Sequence, residues 1–100
     1  MILEYVRYQL TEHSTQQLLD AYAKAAKQLD AAPECLGYEM AVCADDPDAL
    51  ILRINWNSAE GHMTGFRKGP HFPPFLAEIR PFIGEIAEMR HYELTPIGSA

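Results

Sequence analysis

The chain has little of what most recognisable chemistries require. Two cysteines, Cys35 and Cys43, stand among 100 residues and form no Cys-x-x-Cys pair, and no His-x-x-x-His occurs. A zinc or non-haem iron site is therefore not expected, and no other metal or cofactor is called for. No Gly-x-Gly-x-x-Gly follows a strand pattern, which removes the basis for a dinucleotide site. There is no nucleophile elbow, and Ser14 and Ser58 stand where helices need caps. Eight basic residues against fourteen acidic ones leave a net charge of −6 and a pI near 5.0. The basic residues are scattered and form no stripe that tracks phosphates, so no nucleic-acid partner is expected. No apolar run approaches the roughly 20 residues of a membrane helix, and the first residues show no secretory apolar segment. A cytoplasmic, reducing setting with no membrane partner is the expectation.

What is present fits one globular domain: 48% of residues are hydrophobic and 22% charged. The domain is expected over 1–96, with a polar tail at 97–100. Residues Ile2 to Leu10 alternate two side-chain sets rich in Val, Ile and Tyr, the mark of a strand. Ser14 followed by Gln17 is a capping-box signature and opens a helix to about Ala31. Its apolar stripe is Leu18, Tyr22, Ala25 and Leu29. Pro33 stops it. Cys35 to Ala44 and Ala49 to Trp56 form a hairpin around the turn Asp45-Asp46-Pro47-Asp48. Asn57 or Ser58 caps a further helix, with Glu60 placed to close a box on Asn57; His62, Met63 and Phe66 are expected on one face of it. Gly69-Pro70 punctuates that helix, and Phe72 to Ile79 forms another helical piece before a last strand, Ile86 to Leu94.

The order is β-α-β-β-α-β, an α+β, ferredoxin-like arrangement of one antiparallel four-stranded sheet with helices on one face. Both faces of the first and last strands carry apolar or aromatic residues, so a second subunit is expected against the bare face. That homodimer buries on the order of 1,600 Å² or more.

The run Ile51 to Phe82 gathers the residues with chemical potential. Trp56 closes a strand at a helix junction, where it either packs in the core or lines a pocket. His62 sits one turn into the following helix, where a neutral imidazole either packs or serves as general base. His71 reads as a loop residue or a ligand, and His91 as a contact to a partner subunit. Arg53 shares a strand face with Asn55 and either pairs with a facing carboxylate or holds an oxyanion. Alternation sets a condition on that last role: if Trp56 faces the helices, Asn55 and Arg53 face the other way. Glu4, Glu39, Glu88 and Glu93 read as partners in cross-strand ion pairs.

The segments Glu34-Cys35-Leu36-Gly37-Tyr38-Glu39, Arg53-Ile54-Asn55-Trp56, Ser58-Ala59-Glu60-Gly61-His62, Phe66-Arg67 and Phe72-x-x-Phe75, in that order, carry a resemblance. The chain resembles the antibiotic biosynthesis monooxygenase domain family, dimeric α+β barrels, from about Met1 to Leu94. The resemblance implies a pocket between the sheet and the second helical region. It implies oxidation of small aromatic substrates, quinols or anthrones, by molecular oxygen without metal or flavin. Catalytic roles would fall to His62, Trp56 and Asn55, and substrate contacts to Tyr38, Arg53, Phe66, His71, Phe72 and Phe75. A related branch degrades haem with a first-strand Asn, a helical Trp and a His ten residues later. Here Tyr5, Arg7 and Gln9, then Phe66, then Phe75 or Leu76 stand at those places, with His71 nearby. A non-catalytic dimeric ligand-binding module and a small-carbonyl isomerase remain as further alternatives on the same fold.

Overall fold

Alternation along Ile2–Gln9 (β1) puts Ile2, Glu4, Val6 and Tyr8 on one face, and that whole face is buried while the intervening residues stay half-exposed. The computed structural model describes residues 1–99; of the expected tail at 97–100, residue 100 lies outside the described residues. After β1 come helix α1 (Thr15–Ala31), strands β2 (Cys35–Val42) and β3 (Ala49–Trp56), helix α2 (Phe72–Ile79) and strand β4 (Ile86–Glu93). The strands pair antiparallel in the order β2-β3-β1-β4. This is the α+β, ferredoxin-like sheet that the element order implies.

The capping box forms as read: Ser14 Oγ accepts from the Gln17 amide at 3.1 Å, and Gln17 Oε1 accepts from the Ser14 amide at 2.8 Å. One core joins Leu18, Tyr22, Ala25 and Leu29 of α1, Phe75 and Ile79 of α2, and Val6, Leu50, Leu52, Ile54 and Trp56 of the sheet. Among the described residues, no helix lies on the opposite sheet face. It carries the cross-strand pair Arg53–Glu39 at 2.9 Å and an edge-on Tyr5–Tyr92 contact at 6.4 Å. No helix among the described residues is long and apolar enough to cross a membrane.

Three local expectations are corrected. The register slips between Cys35 and Gly37, so strict alternation fails there. Cys35 itself packs against the core. The helix after β3 begins on Ser58, whose Oγ accepts from the Gly61 amide at 2.8 Å, and no Glu60 box on Asn57 forms. It then widens into a π-helical segment, Gly61–Phe66, in which the Arg67 amide reaches back five residues to the His62 carbonyl at 3.0 Å. The wider turn buries His62 and Phe66 but rotates Met63 outward, leaving it 46% exposed. Such widened turns are rare and concentrate at functional sites.

Candidate active site

Trp56 is the last residue of β3, and its side chain faces the helices, fully buried. Glu4 lies on the same face of β1, paired across the sheet with Ile54 on one side and His91 of β4 on the other. The π-helical segment folds over this end of the sheet and lowers His62 onto it. Glu4 and His62 are the two buried polar residues of the core.

These side chains form a single row of polar contacts. The Trp56 indole N–H donates to Glu4 Oε1 at 3.0 Å. His62 Nε2 lies 3.4 Å from the same oxygen, and His62 Nδ1 lies 2.9 Å from His91 Nε2. The His62 ring is stacked on the indole, with centroids 4.5 Å apart. Both protein contacts fall on Oε1 of Glu4; Oε2 has none among the described residues.

Burial decides the charge states. It pushes the Glu4 carboxyl above the ordinary carboxylate range, against the opposing pull of the Trp56 bond, His91 and Arg67. It also drives His62 down to about 4, with His91 and Arg67 adding to the effect. The Glu4–His62 contact is therefore an approach of a neutral imidazole to the carboxyl at neutral pH, and not an ion pair. Among the described residues no buried side-chain nitrogen or oxygen is left without a partner.

Beside this row opens a cavity of about 430 Å³ between the sheet and the second helical region. Its walls are largely apolar: Ile54, Phe66, Phe72, Phe75, Leu76 and Met89 among them. Polar groups enter at three places. Glu4 and His62 form one edge, the Tyr8–Tyr22 hydroxyl pair at 2.6 Å lies on another wall, and Arg67, exposed, stands 5.6 Å over the Phe72 ring. Burial raises the Tyr8 phenol to about 12 and Tyr22 well above its ordinary value, so both stay protonated. The volume lies within the range of small-molecule sites, and an apolar wall with a few convergent polar groups is their usual make-up.

Of the residues singled out in the sequence, Trp56, His62, Phe66, Phe72 and Phe75 line this cavity together. Asn55, Arg53, Tyr38 and His71 do not. Strand alternation turns Asn55 and Arg53 to the opposite face, where Arg53 is held by Glu39. Tyr38 faces the helices from the edge strand, but its hydroxyl reaches out to Asp30 at 2.8 Å. His71 Nδ1 lies 3.3 Å from Gln28 Oε1, outside the cavity. His91 faces the helices beside Glu4, is exposed, and contacts His62. The sequence reading missed Glu4, Arg67 and the tyrosine pair. Glu4 had a visible signal, being the single acid in the otherwise uncharged set Ile2, Val6, Tyr8 and Leu10.

Glu4, His62 and His91 also offer ligand atoms within 4.8 Å of one another. His62, however, meets Glu4 through Nε2 and His91 through Nδ1, on opposite sides of its ring.

The model of the antibiotic biosynthesis monooxygenase family matches residues 1–78 of the chain. Among curated relatives, the uncharacterized protein YczJ of Bacillus subtilis is 20% identical over 93 residues, covering 93% of this chain and 98% of that protein. A solved structure of the antibiotic biosynthesis monooxygenase type from Chloroflexus aurantiacus superposes with a TM-score of 0.75 at 24% identity, over 99% of this chain and 95% of that one. SnoaB, a cofactor-independent oxygenase from Streptomyces nogalater, gives 0.73 at 12% identity, over 98% and 94%. At such identities the structural likeness is one of fold.

Proposed function

This chain belongs to the antibiotic biosynthesis monooxygenase family, and on that premise we propose that its cavity oxidises a small electron-rich aromatic compound, of quinol or anthrone type, with molecular oxygen and no bound cofactor. The observation that carries this reading is the Glu4–His62 edge, a basic group set into an otherwise apolar cavity. An aromatic ring lies against Phe66, Phe72 and Phe75, with an acidic C–H or O–H turned to the free Oε2 of Glu4.

Glu4 is the base. Burial raises its pKa and lowers that of His62 to about 4, so of the two the carboxylate holds a proton more firmly. The Trp56 indole N–H, donating to Oε1 at 3.0 Å, fixes the carboxylate in place, with His62 Nε2 3.4 Å from the same oxygen. Loss of the proton makes the substrate an electron-rich anion in a site that shields it from water, where fixed dipoles and the Arg67 guanidinium act strongly. Oxygen then meets the anion directly. For a ring methylene the sum is CH2 + O2 → C=O + H2O: four electrons leave the substrate, one oxygen atom enters it, and the other leaves as water. No outside reductant is needed. The fold shared with the cofactor-independent oxygenase SnoaB supports this reading.

Oxygen uptake by the purified protein with a panel of hydroquinones and anthrones is the test. Wild type should exceed the uncatalysed autoxidation rate, and Glu4→Gln should return it to that rate. If wild type never exceeds autoxidation while the compounds still quench the single tryptophan, the cavity binds without catalysis. We also place a second copy of the chain on the open sheet face, where Tyr5 and Tyr92 pack edge-on and Leu3 and Ile51 stay half-exposed. Light scattering at micromolar concentration should give twice the chain mass, and a monomer would overturn that assembly.

A further inference from the structure

We propose that His91 is the outer end of a proton relay: it takes up, through His62, the proton that Glu4 removes from the substrate, holds it at the protein surface, and returns it to the oxygen adduct. This rests on the reading of the cavity given above. His91 lines no part of the cavity and is exposed, yet its Nε2 is 2.9 Å from Nδ1 of the buried His62. His62 in turn reaches Glu4 at 3.4 Å. An unbroken row thus runs from the cavity edge to solvent.

The transfers balance without any group carrying a second charge. In the resting row His62 holds its proton on Nδ1 and shares it with His91. Glu4 breaks the substrate C–H bond and gains an O–H bond at Oε2, and a half-turn of the carboxyl, which exchanges its two oxygens, carries that O–H to His62. That proton passes to His62 Nε2 as the Nδ1 proton passes to His91 Nε2. The row then holds a carboxylate, a neutral His62 of the other tautomer and a protonated His91, with the negative charge on the substrate. When the oxygen adduct needs a proton to expel water, the transfers run backwards. The oxidation consumes no net proton, so each turnover restores the original tautomer and the ring never has to flip.

This matters because His62 is pinned between the indole and two polar partners and cannot swing a proton outward by rotation. It is also too weak a base to store one, since burial holds it near 4. A proton left on Glu4 would stand beside the carbanion and return to carbon. The groups facing His91 are Glu4 from β1 across the sheet, His62 and Arg67 from the π-helical segment and its end, and Glu93 two residues along its own strand.

The test removes oxygen so that only the proton step is read. Anthrone is incubated anaerobically with the protein in D2O, and exchange of its ring methylene is followed by proton NMR across pH, with binding read from quenching of Trp56. Wild type should accelerate exchange. His91→Ala should lower the exchange rate about ten-fold or more at unchanged anthrone affinity, and millimolar imidazole should restore it. His91→Gln, which keeps a hydrogen bond to His62 but carries no proton, should be as slow and should lose the pH dependence of wild type. The relay is overturned if wild type does not accelerate exchange, if either variant exchanges at the wild-type rate, or if imidazole leaves His91→Ala slow while anthrone still binds. A failure of oxygenation alone leaves this readout intact.

Discussion

The imidazole of His62 lies flat on the indole of Trp56, with the two ring planes 11° from parallel. A cation over an indole face gains on the order of 1–2 kcal/mol, so the stack by itself favours protonated His62. Burial wins all the same, holding the ring neutral with a pKa near 4. Desolvation of a buried cation is the larger effect here. Trp56 therefore holds His62 in position without charging it, and the same indole spends its N–H on Glu4.

That depressed value makes stability depend on pH with a defined sign. His62 is protonated in the unfolded chain below its ordinary 6.5 but stays neutral in the fold down to about 4. The unfolded state thus binds more protons between those values, and acidification through that window destabilises the fold, by on the order of 3 kcal/mol at most. Thermal melts of wild type and His62→Gln from pH 7 to pH 4 check this. The variant should lose less Tm than wild type across the window.

Glu4 acts in the opposite direction. Its raised pKa means the fold holds a proton that the unfolded chain releases, so its contribution is favourable in acid and is lost as pH rises through the folded value. Glu4→Gln should remove that loss while Gln Oε1 still accepts from the indole. We expect the variant to match wild type near pH 4 and to melt at a higher temperature near pH 8, with oxygen uptake abolished. Higher stability with lost activity separates a site residue from a packing residue.

Much of this was legible in the residues. Ser14 and Gln17, Pro33, the aspartate-rich turn and the period-two strands each set a local choice by simple sterics or capping, and those elements formed within a residue or two of the expected bounds. Trp56, His62, Phe66, Phe72 and Phe75 could be grouped because they follow one another along one corner. Glu4 and His91 could not, since their closeness to His62 depends on β1 lying beside β4, a relation set by the whole sheet. Met63 was misplaced because a helical period of 3.6 was assumed where the backbone adopts a π turn. Arg53 and Asn55 were constrained by parity alone, and parity held in β3, which has no bulge.

The Tyr8–Tyr22 hydroxyl pair should behave as one unit. Its members are 2.6 Å apart and buried, so Tyr8→Phe strands the Tyr22 hydroxyl and should cost about 1–3 kcal/mol. Tyr22→Phe does the reverse. The double variant leaves nothing unpaired, and a denaturant-melt cycle should show it costing less than the sum of the two, with a coupling of about 0.5–3 kcal/mol. Both phenols titrate above their ordinary 10, Tyr8 at about 12. Their contribution to stability is therefore present below pH 10 and lost as pH rises beyond it, and the double variant should resist alkaline unfolding better than wild type.

Filling the cavity separates a binding pocket from a packing defect. Leu76 is half-buried on the cavity wall, away from the Glu4–His62 edge. An indole at that position takes up much of the space available to a ligand while leaving every polar contact in place. Leu76→Trp should weaken anthrone binding at least about ten-fold, a loss of about 1.4 kcal/mol, by calorimetry, and lower oxygen uptake through KM more than through kcat. It should not lower Tm, because new apolar contacts replace empty volume. Met63→Trp is the control, since Met63 is exposed and outside the cavity; it adds the same side chain and should leave binding unchanged. Equal loss in both variants, or none in Leu76→Trp, would place the ligand somewhere other than this cavity.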